Sequence, residues 1–135
     1  MPTKPNQHIS QKFDEEMEDL RNDVMKMGGF VEQQMRRVTV AFRQLDVEEA
    51  ETVVRNDHYI NGLEGSIDEE CTRILLRRQP AATDLRMVVA VIKTLTDLER
   101  IGDHVMHIGE YVIYLVMAKD IRHLSIEEAE RDVVT

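Results

Sequence analysis

The sequence predicts an all-α fold: an antiparallel three-helix bundle of long helices, followed by a short C-terminal helix. Apolar residues recur every three or four positions through most of the chain, and no segment shows the alternation of a β-strand. The chain is 42% hydrophobic but only 4% aromatic, with 8 Met, a composition typical of helical bundles. Short connections between the helical segments force neighbouring helices to run antiparallel.

The first helix is predicted over residues 10–45, with Ser10 as its N-cap. Its apolar residues have the spacing of a single contact face in a bundle. They are Phe13, Met17, Leu20, Val24, Met27, Val31, Met35, Val38, Phe42 and Leu45. The adjacent Gly28 and Gly29 should weaken or bend this helix.

The second helix is predicted over residues 47–77, with Asp46 as its N-cap. Its apolar face consists of Val47, Val53, Val54, Ile60, Leu63, Ile67, Cys71, Ile74 and Leu75. The segment RRQPAATD separates it from the third helix, because Pro80 cannot continue a helix and Thr83 or Asp84 can cap the next one.

The third helix is predicted over residues 84–118. Its apolar face consists of Leu85, Val88, Val89, Ile92, Leu95, Leu98, Ile101, Val105, Ile108, Val112 and Leu115. The sequence SIEE at 125–128 has the form of a capping box and predicts a short helix within the tail, residues 119–135. The whole chain, residues 1–135, is therefore expected to form a single three-helix domain.

Composition excludes several classes of partner and location. The net charge of −9 argues against nucleic acid or an anionic membrane surface as the partner. The longest apolar run, residues 111–118, is too short to insert across a bilayer, and the N-terminus lacks the apolar core of a signal peptide. The single cysteine, Cys71, excludes an intrachain disulfide and is expected to be a buried, unreactive thiol. The sequence therefore predicts a cytoplasmic protein.

Angular position singles out two of the many acidic pairs that are spaced four residues apart. At 100° per residue, Glu99 lies within about 20° of apolar residues on the third helix, and Asp103 lies within about 40° of Glu99. On the second helix, Glu64 lies within about 40° of the apolar face, with Asp68 one turn further on. If the chain turns near residue 81 or 82, Glu64 and Glu99 are each about 17 residues from the turn and should meet.

Two interpretations of these four carboxylates follow, because like charges at a helix boundary need compensation. In the first, the acids lie at the edge of the helix contact and pair with Arg or Lys. Arg73, Lys93 and Arg100 are available, although Arg100 points about 100° away from Glu99. In the second, a bound cation compensates: all-oxygen sites suit Mg, Ca or Mn, and carboxylates in bundle cores also hold iron. The residues alone leave both open.

Three further residues could extend a metal site, namely Asp57, Asn61 and His107. Asp57 and Asn61 project on the same broad side as Glu64, although polar side chains on an exposed helix face are the slightly better explanation for them. His107 lies about 80° from Glu99 and could flank the site. A carboxylate-bridged di-metal protein of the ferritin-like type is the alternative class, but its E-x-x-H pair is absent and H-x-x-E at 107–110 has the reverse order.

The sequence predicts no enzymatic activity and no catalytic residue. It contains no recognisable nucleophile with its base, no Gly-rich phosphate loop and no Cys/His zinc pattern. The four glycines that occur singly on the second and third helices are better explained by close approach of a neighbouring helix than by phosphate binding. They are Gly62, Gly65, Gly102 and Gly109.

Four segments together resemble the PhoU family, the accessory proteins of the bacterial high-affinity phosphate transport system. They are HISQKFDEEMEDLR, MGGFVEQQ, IDEECTRILLRRQPAATDLR and DLERIGDH. The resemblance implies a three-helix repeat with E/D-x-x-x-D motifs on its second and third helices, which in some family members hold iron or zinc clusters. The matching positions here are Glu64 with Asp68 and Glu99 with Asp103. Iron, zinc or magnesium is the metal that we expect there.

The resemblance also implies a regulatory function. PhoU-type proteins link the membrane and ATPase subunits of the phosphate ABC importer to the phosphate-sensing histidine kinase, and they repress the starvation response and uptake when phosphate is plentiful. Family members normally carry two repeats, whereas this chain has room for one. Its start resembles the first repeat, and EYVIYLVMAKDIRH resembles the end of the second. We therefore expect a half-length version in which two copies pair as a homodimer.

Overall fold

The computed structural model describes the backbone of residues 5–134 and the side chains of residues 11–132. Within that range the chain forms three α-helices and no strand: α1 (Pro5–Gln44), α2 (Val47–Arg78) and α3 (Ala82–Val134). Each helix packs against both others. The predicted all-α fold, an up-down-up bundle of three long helices, is confirmed.

The connection between α1 and α2 consists of two residues. Leu45 adopts a left-handed backbone conformation, with φ of 52°. The amide of Asp46 then donates to the carbonyl of Ala41 at 2.9 Å, as in a Schellman motif. The side chain of Asp46 accepts from the amide of Glu49 at 3.2 Å. The predicted N-cap at Asp46 is confirmed, and this tight turn sets α1 and α2 antiparallel.

In the connection between α2 and α3, the residue that follows α2, Gln79, also has a left-handed backbone conformation, with φ of 42°. Pro80 follows, and the carbonyl of Ala81 accepts the amide of Leu85 at 2.8 Å to begin α3. The predicted cap at Thr83 or Asp84 is therefore wrong, because α3 begins at Ala82 and both residues lie in its first turn. In that position the charge of Asp84 is favourable to the helix dipole.

Two other predicted helix ends are wrong. Ser10 does not cap α1, because the helix already includes Pro5 and runs without interruption through Gly28 and Gly29. The capping-box sequence at 125–128 does not begin a separate helix. Instead α3, which is 53 residues long, continues through the segment predicted as a tail and ends at Val134. Its length of about 80 Å makes α3 the longest of the three. None of these helices, over the residues that the structure describes, combines the length and hydrophobicity that a bilayer crossing requires.

The main hydrophobic core lies between the three helices over the half of the bundle nearest the α2–α3 turn. Its buried members are Phe13, Met17, Leu20, Met27, Val31, Ile60, Ile67, Cys71, Ile74, Val88 and Leu95. Two smaller clusters continue the core toward the other end, and they are Val38 with Val53 and Val105, and Ala41 with Ala50 and Val112. The core is thus a narrow column along the bundle axis.

Several predicted core residues are exposed instead, because the buried column is narrower than the apolar pattern. On α1 these are Met35 and Phe42, in the α1–α2 connection it is Leu45, and on α3 they are Leu85, Val89, Ile101, Ile108 and Leu115. Gly102 and Gly109 occupy buried positions on α3. A Cβ built on Gly102 would lie 3.3 Å from Ile60, and one on Gly109 would lie 3.2 Å from the carbonyl oxygen of Ala50.

The prediction of close helix approach is therefore confirmed at Gly102 and Gly109. It is wrong at Gly62 and Gly65, because a Cβ built on either would have no neighbour within 4 Å. The two confirmed contacts bring the α3 backbone close to α2. They also define the register of the two helices, since Gly102 lies level with Ile60 and Gly109 with the first turns of α2.

Candidate functional site

Polar side chains follow the boundary between α2 and α3 on one side of the bundle. On α2 these are Asp57, Asn61, Glu64 and Asp68, and on α3 they are Glu99, Asp103 and His107. We call this set the acidic seam. Spacings of three, four and seven residues place its members in one stripe on each helix. Because the helices are antiparallel, the register at Gly102 sets Glu64 beside Glu99 and Asp57 beside Asp103.

The half-buried Glu64 shows that the four predicted carboxylates act on one another. Burial is the largest cause that raises the pKa of Glu64, and the negative charges of Glu99, Asp68 and Asp103 raise it further. In the described part of the chain, no Arg or Lys forms an ion pair with any of the four. The interpretation in which neighbouring cations neutralise these acids is therefore not what the structure shows.

Asp57 is the most buried member of the acidic seam, with 9% of its surface exposed. Its Oδ2 accepts from Asn61 Nδ2 at 3.3 Å, whereas its Oδ1 is buried without a hydrogen-bond partner. Burial raises the pKa of Asp57, and the charge of Asp103 adds to that effect. The Asn61 hydrogen bond and the positive potential of His58 and His107 act in the opposite direction.

A buried polar pair that the sequence pattern missed lies beside Asp57. Asn56 Nδ2 donates to Gln34 Oε1 at 3.1 Å across the α1–α2 contact. Gln34 is 1% exposed, and its Nε2 has no partner among the described residues. The spacing along α1 indicates that Gln34 is a contact residue. It lies three residues after Val31 and four before Val38, so it continues the contact face of α1. The apolar pattern favours its neighbour Met35 for that position, but Met35 is exposed.

Within residues 11–132, His104, His107 and Cys71 lie outside any group of side chains that could hold a metal ion. His107 is exposed, with its Nδ1 3.6 Å from Glu110 Oε2, and its influence on Asp57 is electrostatic. His104 is exposed as well, on the far side of α3 from Glu99. Cys71 is fully buried, and burial raises the pKa of its thiol to about 11. The predicted unreactive thiol is consistent with this environment.

The donor atoms of the acidic seam suit a hard divalent cation, but their arrangement is open. Carboxylate oxygens are the preferred ligands of Mg²⁺ and are common ligands of iron. The partnerless Oδ1 of Asp57 and the mutual repulsion at Glu64 both favour a positive ligand. Yet no three His, Cys, Asp or Glu side chains within residues 11–132 converge closely enough to hold an ion. A metal would therefore require new rotamers along the seam, and the ferritin-like alternative gains no support.

Replacing Asp57 with Asn should stabilise the protein at neutral pH. The amide keeps an acceptor for Asn61 and removes the repulsion from Asp103, so D57N should raise the free energy of unfolding at pH 7 by about 1 kcal/mol. The pKa of Asp57 is raised in the folded state, so protonation relieves the wild-type penalty as the pH falls. The gain should therefore vanish below the ordinary value of 3.8.

Urea denaturation in EDTA, followed by circular dichroism at pH 7 and pH 3.5, measures this difference. The exposed Asp14→Asn on α1 is the control and should change stability by less than about 0.5 kcal/mol. A loss of stability in D57N at pH 7 would mean that the Asp57 charge is compensated within the fold.

The chain is thus a three-helix bundle with a stripe of carboxylates along its α2–α3 boundary, and no Arg or Lys in the described residues forms an ion pair with Glu64, Asp68, Glu99 or Asp103. The family model of the PhoU domain matches residues 24–112, which is more than half of the chain and includes the whole acidic seam. The chain belongs to the PhoU domain family, and the resemblance read from its sequence is confirmed.

Named relatives and solved structures agree with this assignment. The phosphate-specific transport system accessory protein PhoU of Serratia marcescens is 49% identical over 98 residues, which cover 73% of this chain and 40% of that protein. The PhoU homolog of Pseudomonas aeruginosa is 46% identical over 108 residues, covering 80% of this chain and 45% of that protein.

Among solved structures, the crystal structure of PhoU from Pseudomonas aeruginosa superposes with a TM-score of 0.76 at 41% identity, over 82% of this chain and 56% of that one. The phosphate transport system regulatory protein PhoU from Streptococcus pneumoniae gives a TM-score of 0.71 at 33% identity, over 75% of this chain and 48% of that one. The chain thus spans about half the length of the relatives that it matches.

Proposed function

We propose that this protein regulates phosphate homeostasis as an adaptor. It couples the phosphate ABC importer, through the ATPase subunit, to the phosphate-sensing histidine kinase, and it represses the starvation response and uptake when phosphate is plentiful. The observation that carries this proposal is the family match over residues 24–112, together with 49% identity to a protein named as a phosphate-specific transport accessory protein. We further propose that it acts in the cytoplasm and by binding, without catalysis.

The acidic seam is the surface that we assign to this role. Its carboxylates lack cationic partners in the described part of the chain, so a ligand that brings positive charge would be bound in preference to a neutral one. We propose that Glu64, Asp68, Glu99 and Asp103 hold iron, zinc or magnesium after a change of rotamers, with Asp57, Asn61 and His107 as the proposed additional ligands. A bound cation would supply the charge that offsets the repulsion, and its presence would alter docking of the kinase or ATPase.

Capture of the purified kinase and ATPase subunit by the 135-residue chain tests the proposed adaptor role. We expect binding to at least one of them, with an affinity that differs between high and low phosphate. The variant Glu99→Gln with Asp103→Asn should weaken binding. The control, Asp14→Asn with Glu18→Gln, removes a pair of the same chemistry and spacing from the exposed face of α1 and should not. Failure to capture either partner under both conditions would refute the adaptor role.

Removing the α3 pair should lower the metal content of the protein. The variant Glu99→Ala with Asp103→Ala takes two of the four proposed ligands away, so we expect at least a tenfold weaker affinity for metal. The helical circular dichroism should be largely unchanged, because both residues are only half-buried. Elemental analysis after reconstitution with iron, zinc or magnesium measures the content.

The matched control is Asp14→Ala with Glu18→Ala, which should keep the wild-type metal content. Equal content in wild type and the α3 variant would show that the seam is not the metal site. Turnover of iron-loaded protein with oxygen or peroxide would instead support the ferritin-like alternative.

We also propose that two copies pair. The narrow core leaves large apolar side chains uncovered on the bundle, including Met35, Phe42, Ile101 and Ile108. Exposed apolar patches of this kind are common at subunit interfaces. Light scattering should give a mass of about twice the 15.7 kDa of one chain. A monodisperse monomer at micromolar concentration would exclude the pairing.

A further inference from the structure

The acidic seam leads into an open groove of about 460 Å³ on α3. His107, Glu110, Tyr111 and Tyr114 line this groove. The two tyrosines are 66% and 67% exposed, so most of each ring is available to a ligand. Tyrosine combines an apolar ring with a polar tip and is enriched at the energetic centres of protein interfaces. The groove therefore has the chemistry of a docking site for a protein side chain.

The groove and the seam are adjacent on α3. Around that helix, Glu110 and Tyr114 each lie within about 20° of Asp103 and His107 lies within about 40°, while Tyr111 lies about 80° away, on the side of His107. From Glu99 to Tyr114 they form a strip about 22 Å long. We call it the tyrosine–acid strip, and it consists of Glu99, Asp103, His107, Glu110, Tyr111 and Tyr114 with Asp57 and Glu64 of α2 beside it.

The strip carries negative charge that the described chain does not neutralise. Its carboxylates form no ion pair with Arg or Lys within residues 11–132, and the contact of Glu110 with His107 is charged only when that histidine is protonated. A separate observation points the same way: Oδ1 of Asp57, nine-tenths buried beside the strip, has no hydrogen-bond donor. The net charge of −9 would in addition speed association with a basic partner and slow it with an acidic one.

We propose that the tyrosine–acid strip docks a basic, arginine-bearing segment of a partner protein, with one guanidinium against the rings of Tyr111 and Tyr114 and further cationic side chains along the carboxylates. This inference rests on the proposed adaptor function and names the chemistry of the partner surface. Arginine fits better than lysine, because its planar guanidinium stacks on aromatic rings and also binds carboxylates through two hydrogen bonds. A metal ion alone would use the carboxylates and leave the tyrosine groove unfilled.

A synthetic peptide with four arginines separated by alanines is the probe, and a peptide with glutamine at the same positions is its control. Both are titrated into the full chain in EDTA and followed by the backbone amide resonances. We expect the arginine peptide to shift the resonances of residues 99–114 on α3 and 57–64 on α2. The surroundings of Asp14 and Glu18 on α1 should not respond. Affinity should fall as salt is raised, because the contacts are electrostatic.

Ring and charge substitutions separate this docking mode from general attraction to an acidic protein. Tyr114→Leu keeps apolar area but removes the ring, and it should weaken binding by about 2–5-fold, whereas Tyr114→Phe should stay within about twofold of wild type. Tyr59→Leu, on an exposed tyrosine of α2 that contacts Phe30, is the matched control and should bind normally. Glu99→Gln with Asp103→Asn should weaken binding about tenfold, and Asp14→Asn with Glu18→Gln should not.

Three results would overturn the proposal: equal shifts with the glutamine peptide, no response at residues 107–114, or identical affinities of Tyr114→Leu and Tyr114→Phe. The proposal would also be overturned if the seam bound Mg²⁺ but the arginine peptide bound neither in EDTA nor in Mg²⁺. That result would indicate a metal site and no docking surface. If the kinase and ATPase fail to bind while the arginine peptide binds as expected, the adaptor role fails and the docking surface stands. If the kinase or ATPase binds but the arginine peptide does not, the docking surface is refuted and the adaptor role stands.

Discussion

Leu95→Ala is expected to lower the free energy of unfolding by roughly 2–5 kcal/mol. Leu95 is 2% exposed and belongs to the main core cluster, four residues before Glu99 on α3. The substitution removes three buried carbon atoms and leaves a cavity that three long helices cannot close without tilting. In a protein of this size, that loss is a large part of the total stability. Urea denaturation followed by circular dichroism measures it.

The same substitution at Leu76 is the control. Leu76 is 75% exposed on α2, so Leu76→Ala should change the free energy of unfolding by less than about 0.5 kcal/mol. Similar effects at both positions would contradict the packing described here. If Leu95→Ala also alters the proton affinity of Glu64, the core and the acidic seam are mechanically linked, because Leu95 supports the turn of α3 that carries Glu99.

Gly109→Leu is expected to destabilise the bundle by about 1–3 kcal/mol. Even a Cβ at this position would lie 3.1 Å from Val54 Cγ2 and 3.2 Å from the carbonyl oxygen of Ala50. The Ala50 oxygen belongs to the helix backbone and cannot move aside, so α3 must shift away from α2. That shift also separates the two sides of the acidic seam. Gly109→Leu should therefore lower the affinity for any ligand that bridges α2 and α3. It should also lower the midpoint of urea denaturation.

Gly29→Leu provides the control for this effect. A Cβ on Gly29 meets nothing within 4 Å, and leucine is the better helix former, so the variant should be as stable as wild type or more stable by up to about 1 kcal/mol. Destabilisation at both positions would show that glycine is needed for flexibility and not for helix contact. The two glycines thus give opposite signs for the same chemical change.

The register of α2 and α3 explains why the acidic seam could be found from the sequence. Angular arithmetic on single helices selected Glu64, Asp68, Glu99 and Asp103, and counting from the predicted turn placed Glu64 level with Glu99. In the structure, burial raises the pKa of Glu64, and the charges of Glu99, Asp68 and Asp103 add to that effect. What they bind stays a prediction. Both helices are regular and the turn between them is short, so spacing along the chain converts directly into height along the bundle.

Other features could not be read from the apolar pattern. Leucine, isoleucine and methionine recur on α1 and α3 over a wider arc than the core can bury, so the sequence assigned Met35, Ile101 and Ile108 to the interior. Gln34 and Gly109 occupy contact positions instead. A polar or absent side chain gives no apolar signal, and its place in the contact is decided by what the neighbouring helices leave room for.

Periodicity and short motifs within single helices were enough to predict the three-helix fold, the PhoU relationship and the positions of the two acidic pairs. The packed bundle was needed to show that Asp57 is buried with an unpartnered oxygen and that no Arg or Lys of the described residues pairs with the four carboxylates. It was also needed to show that α3 extends to Val134. Burial and the absence of a partner are properties of the space between helices. They follow from helix separation and side-chain packing, which a single helix does not encode.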